Sequence, residues 1–183
     1  MQSQPWHITG PASGRTRRWR VVLGLCGGLL VAGLAEAAWT VALKPDPLTR
    51  QPRCLISSEP QTTSDGYDTT PVSLIFNGGS LLVITESELD PSFADLQLVV
   101  DKNPPIQTVQ IARKMILVFD RDLPELVRQL RVGRQATVYL RFWPTWPATE
   151  SFAVSFSLAG FSKAHDALNN HCQPTPGRGQ PPG

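Results

Sequence analysis

Residues 136–143, Ala-Thr-Val-Tyr-Leu-Arg-Phe-Trp, alternate between apolar core-type residues and residues that suit a solvent-facing surface. Ala136, Val138, Leu140 and Phe142 fall on one face of an extended chain, because successive side chains of a strand point to opposite sides. This period of two is typical of a half-buried β-strand. The segment 150–158 shows the same alternation, with Phe152, Val154, Phe156 and Leu158 on its apolar face. The sequence therefore predicts that the two segments are strands and partners.

Outward from this pair, the chain is a succession of short apolar runs separated by turn residues. Asn77-Gly78-Gly79 predicts a tight hairpin, because these residues tolerate positive φ. The pattern favours a mainly β fold, a single-domain β-sandwich or partly closed barrel with two short helices. The other predicted strands cover residues 39–43, 53–58, 71–76, 80–86, 96–101, 106–111 and 114–119.

Two helices are predicted between and after these strands. In the first, Asp122 is expected to cap the start, with Glu125 completing a capping box and Gly133 ending the helix. The second helix is predicted from about residue 162 to 169. The apolar positions of the first helix recur at helical spacing, at Leu123, Leu126, Val127 and Leu130.

The N-terminal segment has the pattern of an export signal. Four arginines at positions 15, 17, 18 and 20 precede an apolar run from Val21 to Leu34, and Ala35-Glu36-Ala37 follows it. A basic start, a short apolar core and a small-residue exit predict a secretory signal peptide over residues 1–37. We therefore expect a periplasmic or secreted protein whose contact with the membrane through the leader is transient.

A second interpretation of the same segment is an uncleaved anchor over residues 21–43. It would leave the protein in the inner membrane, facing the periplasm. Glu36 would then lie within the bilayer, which is unfavourable for a carboxylate. The apolar run is also short for a membrane span, so the length favours cleavage.

Composition limits the remaining classes of function. Residues 38–183 carry 13 basic and 14 acidic side chains, which leaves no basic stripe to bind nucleic acid. Residues 38–172 are predicted to form one β-rich periplasmic domain. The Pro- and Gly-rich segment 173–183 is predicted to be a disordered tail.

The chain has three cysteines, and Cys26 lies in the predicted leader. Cys54 and Cys172 remain, and an even pair in an exported chain predicts a disulfide. The alternative is two buried free thiols.

No arrangement of residues typical of an enzyme is found, so we expect no catalytic residues, no metal and no cofactor. His165 and His171 have no zinc-site spacing and are interpreted as solvated or capping side chains. Glu86, Glu88 and Asp90 are interpreted as a solvated strand end rather than a cation site.

The most unusual segment is Phe142-Trp143-Pro144-Thr145-Trp146-Pro147, where two Trp-Pro steps give a stiff aromatic turn. Trp143 and Trp146, exposed on such a turn, would suit a glycan, a peptide or another protein. The alternative is that both indoles fold over the end of the sheet and seal it. Tyr67, in the polar loop 65–71, is a third candidate for the same surface.

The segment from Val154 to Leu168 resembles the end of invasion-associated locus B (IalB-like) proteins, in which a Ser-Leu-x-Gly-Phe turn precedes a short helix. Looser similarity extends to Trp39-x-Val41, to Cys54-Leu55-Ile56 and to the helix that ends at Gly133. The resemblance implies an exported, β-rich periplasmic or surface protein of Gram-negative bacteria, linked in some pathogens to host-cell invasion. It implies no catalytic residues.

These observations predict an exported, non-enzymatic envelope protein that acts through contacts with envelope or host proteins. One alternative is a periplasmic glycan or small-ligand binding module that uses the Trp-Pro loop. Another is a membrane-anchored accessory subunit of an envelope complex.

Overall fold

A computed structural model describes residues 38–145 and 150–171. In these residues, antiparallel strands form two sheets, and there are two helices. The elements are β1 (Trp39–Pro45), β2 (Pro52–Ser58), β3 (Gln61–Ser64), β4 (Thr69–Phe76), β5 (Leu81–Thr85), β6 (Gln97–Val100), β7 (Ile106–Gln107), β8 (Ile111–Ala112), β9 (Ile116–Phe119), α1 (Leu123–Val132), β10 (Gln135–Leu140), β11 (Phe152–Ser157) and α2 (Phe161–His171). The predicted leader 1–37, Trp146, Cys172 and the tail 173–183 lie outside the described residues.

The larger sheet has the strand order β1-β2-β4-β5-β9-β8, with β3 also paired to β4. The smaller sheet has the order β11-β10-β6-β7. All of these pairs are antiparallel, and Val138 of β10 lies opposite both Val154 and Leu98. The mainly β, sandwich-like prediction is confirmed. The described strands form two separate ladders, so the architecture is a sandwich and not a closed barrel.

The core fills the space between the two sheets and explains the alternation in the sequence. Ala136, Val138 and Leu140 are each 0% exposed, and Phe142 is 2% exposed. Facing side chains from the larger sheet, such as Leu74 and Val83, belong to the same buried cluster. Burial of a side chain of this size contributes roughly 1.5–3 kcal/mol, so this face of the sheet sets the strand register.

One strand was missed by the sequence analysis. Residues 61–64 form β3, which pairs with β4 directly beyond the point where β2 does. Glu59 and Pro60 interrupt the two strands, and the Thr63 hydroxyl then donates to the carbonyl of Ala153 at 3.3 Å. The polar sequence Gln-Thr-Thr-Ser gave no apolar alternation, because this strand is mostly exposed and lies at a corner between the sheets.

Several predicted boundaries were also wrong. The segment 106–111 is divided between β7 and β8, which pair with different sheets. β10 ends at Leu140, and Phe142 instead makes an isolated bridge to Leu89. The second helix is longer than predicted and starts at Phe161, which is fully buried against Trp39 with 5.0 Å between ring centroids.

The predicted capping box of α1 is wrong. Asp122 has a left-handed backbone with φ 44° and makes no side-chain cap bond. The Glu125 carboxylate instead accepts from Arg128 and from Gln129 within the helix. Gly133 does follow the last helical residue, but its φ is −72°, so a left-handed cap is not the reason for glycine here.

The sandwich has two distinct ends. One end, here called the helical end, contains the hairpin between β4 and β5, the connection from β9 to α1 and the start of α2. The opposite end contains the first residues of β4 and β9 and the last residues of β5 and β10. Neither helix in the described part of the chain is long and apolar enough to cross a membrane.

Candidate binding surface

Exposed aromatic side chains gather at the end of the sandwich opposite the helices. Tyr67 is 61% exposed, Phe93 is 53% exposed and Trp143 is 60% exposed. They lie on the loops 65–68, 86–95 and 141–145, each of which follows or precedes a strand at this end. We call this surface, with Tyr67, Phe93 and Trp143 as its aromatic residues, the aromatic end.

Hydrogen bonds join the loops of the aromatic end to one another. The Ser87 hydroxyl donates to the Asp65 carboxylate at 2.6 Å, which ties the Tyr67 loop to the loop after β5. The backbone N–H of Trp143 donates to the carbonyl of Glu88 at 2.8 Å. The three aromatic residues are therefore positioned by loops that contact each other and not by independent segments.

Arg141 holds Phe93 in place at this surface. Its guanidinium carbon lies 4.3 Å from the centre of the Phe93 ring, a distance at which a cation is attracted to the aromatic face. The same guanidinium donates to the Asp95 carboxylate, with Nε 3.0 Å from Oδ2. The hydrogen bonds from Arg141 to Asp95 raise the pKa of the arginine, which therefore carries its charge at any physiological pH.

Asp90 supports the loop of Trp143 from below the surface. It is 3% exposed and accepts hydrogen bonds from the Thr145 hydroxyl and from the backbone N–H of Ser92. Burial alone would raise the pKa of Asp90, but the bonds from Ser92 and Thr145 outweigh it and hold the pKa below its usual value. The interpretation of the acidic segment as solvated is therefore wrong for Asp90, because a buried carboxylate needs such partners.

Glu88 completes the charged rim of the surface. Its carboxylate lies 2.9 Å from the Lys114 ammonium in a solvent-exposed ion pair. An exposed pair of this kind contributes little to stability, about 0–1 kcal/mol. The pair adds one charge of each sign to the loop whose Glu88 carbonyl accepts from the Trp143 N–H.

Two of the three residues predicted for a binding surface are exposed and lie at the same end. Trp143 does not seal the sheet, so that interpretation is wrong for this residue; Trp146 lies outside the described part of the chain. Phe93 was missed, because the loop after β5 was considered only for its carboxylates. The signal was the residue itself, an aromatic side chain between Ser92 and Ala94 in a segment without strand alternation.

Cys54 lies in β2, is 7% exposed and pairs across the strands with Leu43. Its predicted disulfide partner Cys172 is outside the described residues, so the pairing stays a prediction.

His165 lies on α2 and is only partly exposed, because its side chain packs towards Phe76 and towards Arg131 of α1. Its ring centre is 5.7 Å from that of Phe76, and its Nδ1 accepts a hydrogen bond from Arg131 at 2.9 Å. Since an arginine can only donate, His165 is neutral with its proton on Nε2 in this arrangement. Burial, and then the nearby Arg131 charge, lower the pKa of His165.

The side chain of His171 is outside the described part. Among the residues that are described, no group of three or more histidine, cysteine, aspartate or glutamate side chains is arranged to hold a metal ion.

Comparison of the chain with protein-family models, with curated proteins and with solved structures gives no match. The resemblance to IalB-like proteins therefore stays a prediction that rests on the sequence segments quoted above.

Proposed function

We propose that this protein is an exported, non-enzymatic envelope protein that binds envelope or host proteins through its aromatic end. The observation that carries the proposal is the set of three aromatic side chains, each more than half exposed, on loops joined by hydrogen bonds. Aromatic side chains with large areas in water are unfavourable in a free protein, and they supply most of the binding energy in many protein interfaces.

The surroundings of the aromatic residues also suit a protein partner. Interfaces are enriched in Trp, Tyr, Phe and Arg at their centres and have a polar rim. Here the Arg141 guanidinium lies against the Phe93 ring, and Glu88, which pairs with Lys114, is joined to Trp143 by a backbone hydrogen bond. A partner that covered the three aromatic side chains would remove from water their exposed part, a little over half of the roughly 150–250 Å² that each buries when fully enclosed.

Export is part of the proposal and is supported by the sequence of residues 1–37. The IalB-like segment from Val154 to Leu168 supports the same envelope location. If the leader is retained, the protein would instead be an anchored accessory subunit that faces the periplasm. N-terminal sequencing of the exported protein separates these cases: a start near Ala38 supports release, and a start at Met1 supports anchoring.

Site-specific photo-crosslinking in a Gram-negative host tests the partner surface. A photoreactive phenylalanine analogue replaces Trp143 in one variant. In the matched control it replaces Val132, which is 71% exposed on α1 at the helical end. We expect a discrete protein adduct from position 143 that is absent from position 132 and is lost when Tyr67 and Phe93 are also changed to alanine.

Adducts of the same proteins from both positions would contradict the proposal, because they would report random encounter. The variant proteins need the same thermal unfolding midpoint as the parent, so that loss of an adduct does not report misfolding. All four substituted positions are exposed, and substitutions at such positions usually change stability by less than about 0.5 kcal/mol.

A second candidate function is glycan or small-ligand binding, and the exposure of Trp143 beside Pro144 favours it. A flat indole face on a stiff loop is a platform on which a sugar ring can stack. Titration with envelope oligosaccharides, followed by tryptophan fluorescence, tests it. Trp39 is buried and bonded to Ser157, so its emission is a constant background. The emission of Trp143 and Trp146 is expected to change only if sugars bind.

A further inference from the structure

The first strand of the larger sheet leaves one side of its backbone open. β1 is the terminal strand in the order β1-β2-β4-β5-β9-β8, and among the described strands it pairs only with β2. The backbone groups on its other side therefore have no ladder partner in the part of the chain that the structure describes. Such an edge is a template on which another extended segment can pair.

The register of β1 shows which backbone groups face the open edge. The Glu59 N–H donates to the Ala38 carbonyl at 3.2 Å, so these two opposite residues form a hydrogen-bonded pair. In an antiparallel ladder, hydrogen-bonded pairs alternate with pairs whose backbone groups point away from each other. Counted from Ala38, the even-numbered residues of β1 bond to β2. The odd-numbered residues, which include Val41 and Leu43, direct their N–H and C=O groups to the open edge.

An apolar groove lies beside this edge, between β1 and α2. Its volume is about 200 Å³, and its lining is Trp39, Val41, Gly160, Lys163, Ala164 and Ala167. The helix contributes mainly glycine and alanine, which leave room for an apolar side chain placed next to Val41. Leu43 is 54% exposed and lies on the same face of β1 as Val41, because side chains of a strand alternate. It extends the apolar surface beyond the groove.

The charges at this edge are positive. Lys163 lines the groove, and Lys44 follows Leu43 near the end of β1. Both lysines are exposed, and neither forms an ion pair with another described residue. A second copy of the chain paired at this edge would add two more lysines. A strand with acidic ends would instead supply the opposite charges.

From this arrangement we propose that the open edge of β1 binds an extended segment of another protein, with acidic ends, as an additional antiparallel strand. The backbone of the segment bonds to Val41 and Leu43, and its apolar side chains opposite these two residues pack in and beside the groove. One acidic side chain lies opposite Lys44 and another near Lys163. In this mode of recognition, backbone bonds provide affinity and alternate side chains provide specificity. The surface shares no residue with the aromatic end.

Hydrogen exchange of the intact ¹⁵N-labelled protein, followed by NMR, tests the pairing with the peptide acetyl-Glu-Val-Thr-Val-Thr-Glu-amide. Without peptide, we expect the amides of Val41 and Leu43 to exchange faster than those of Thr40 and Ala42, which bond to β2. At a peptide concentration of about ten times its Kd, exchange at Val41 and Leu43 should slow about tenfold, because about a tenth of the protein is then unbound. Thr40 and Ala42 are the internal control and should change less. Equal slowing of all four amides, or none, would overturn the proposal.

Two matched peptides separate the backbone from the charges. N-methylation of both valines removes the N–H groups that face Val41 and Leu43, and it is expected to abolish binding. Replacement of both glutamates by lysine keeps the strand pattern and is expected to weaken binding about tenfold or more. Unchanged binding of the N-methylated peptide would refute strand pairing, and unchanged binding of the lysine peptide would refute an acidic partner.

Variants of the protein test the same two contributions. Leu43→Pro removes one outward N–H but keeps the bonds of β1 to β2, and proline is tolerated on an edge strand in this orientation. We expect it to weaken peptide binding about tenfold, whereas the control Leu43→Thr keeps the N–H and should weaken it less. Lys163→Glu should reverse the preference between the glutamate and lysine peptides. Lys102→Glu, on the exposed turn after β6, is the matched control and should leave that preference unchanged. If Leu43→Pro did not fold, the comparison of peptides on the parent protein decides.

The parent protein without peptide shows whether the edge is already occupied. Slow exchange at Val41 and Leu43 that depends on protein concentration would indicate a second copy at the edge. Slow exchange at every concentration would indicate another segment of the same chain. Either result would contradict the proposal.

Discussion

Gly133→Ala is expected to destabilise the protein through packing and not through backbone conformation. A Cβ atom at this position would lie 2.6 Å from Val100 Cγ1, 2.8 Å from the Gln129 carbonyl oxygen and 3.0 Å from Leu158 Cδ1. The φ of −72° is one that alanine adopts freely. Glycine is therefore required because α1 and the ends of β6 and β11 approach one another closely here.

The size of the effect follows from two opposing contributions. Overpacking a core position costs about 1–3 kcal/mol, and the upper half of that range applies because the Gln129 carbonyl is backbone and cannot rotate away. Replacement of glycine by alanine also restricts the unfolded chain, which stabilises by about 0.4–1 kcal/mol. The net loss in the free energy of unfolding is expected to be about 1–2.5 kcal/mol.

Urea denaturation of the purified variants measures this loss, with two other glycines as controls. Gly79→Ala meets only the Asn77 side chain at 3.7 Å, an ordinary contact, so its stability is expected to be equal to or slightly above that of the parent. Gly78 has φ +85° and open space around a Cβ, so Gly78→Ala isolates the conformational cost, about 1 kcal/mol.

The contact with Val100 can be tested directly by a double-mutant cycle. Gly133→Ala combined with Val100→Ala is expected to lose less stability than the sum of the two single variants, because the second change removes the closest contact. A Gly133→Ala variant as stable as Gly79→Ala would refute the packing argument.

Three further predictions concern the charged and sulfur groups. The Asp46 carboxylate is fully buried and accepts hydrogen bonds from Leu48, Thr49 and Asn77, so Asp46→Ala should lower the free energy of unfolding by about 2–4 kcal/mol in urea titrations at pH 7. Burial raises the pKa of Asp46, but these bonds lower it overall. The stability that Asp46 contributes should therefore be present above pH 3.8 and disappear as the pH falls through its lower folded-state pKa. Because the pKa of His165 is lowered from 6.5 in the folded protein, the parent should lose stability as the pH falls below 6.5, and His165→Phe should not show that component of the loss; identical pH profiles would contradict this. Exported protein should show no free thiol after denaturation if Cys54 pairs with Cys172, and reduction should destabilise it by about 4–5 kcal/mol.

The β architecture could be predicted from the sequence because burial acts on alternate residues of β10 and β11. Their apolar positions, Ala136 to Phe142 and Phe152 to Leu158, face the core as expected. β3 could not be predicted, because Gln61 to Ser64 are mostly exposed and only backbone pairing with β4 makes them a strand. The predicted cap at Asp122 failed because this residue has a left-handed backbone and its side chain makes no cap bond.

The candidate site was predictable only in part. The unusual Trp-Pro composition singled out Trp143, whose exposure is consistent with a binding role. The placement of Tyr67 and Phe93 with it depends on contacts between loops that are far apart in sequence, such as Ser87 with Asp65. No local pattern encodes such contacts.

Hydrogen bonds within the chain fix the loops of the aromatic end, and under the proposed function this affects how binding specificity can evolve. A surface whose loops are already fixed loses little conformational entropy on association, so its affinity depends mainly on where the rings are held. Ser87 and Thr145 hold those loops by bonds within this chain. Under the proposed function, substitutions at such supporting residues would therefore change binding specificity without any change in the side chains that contact the partner.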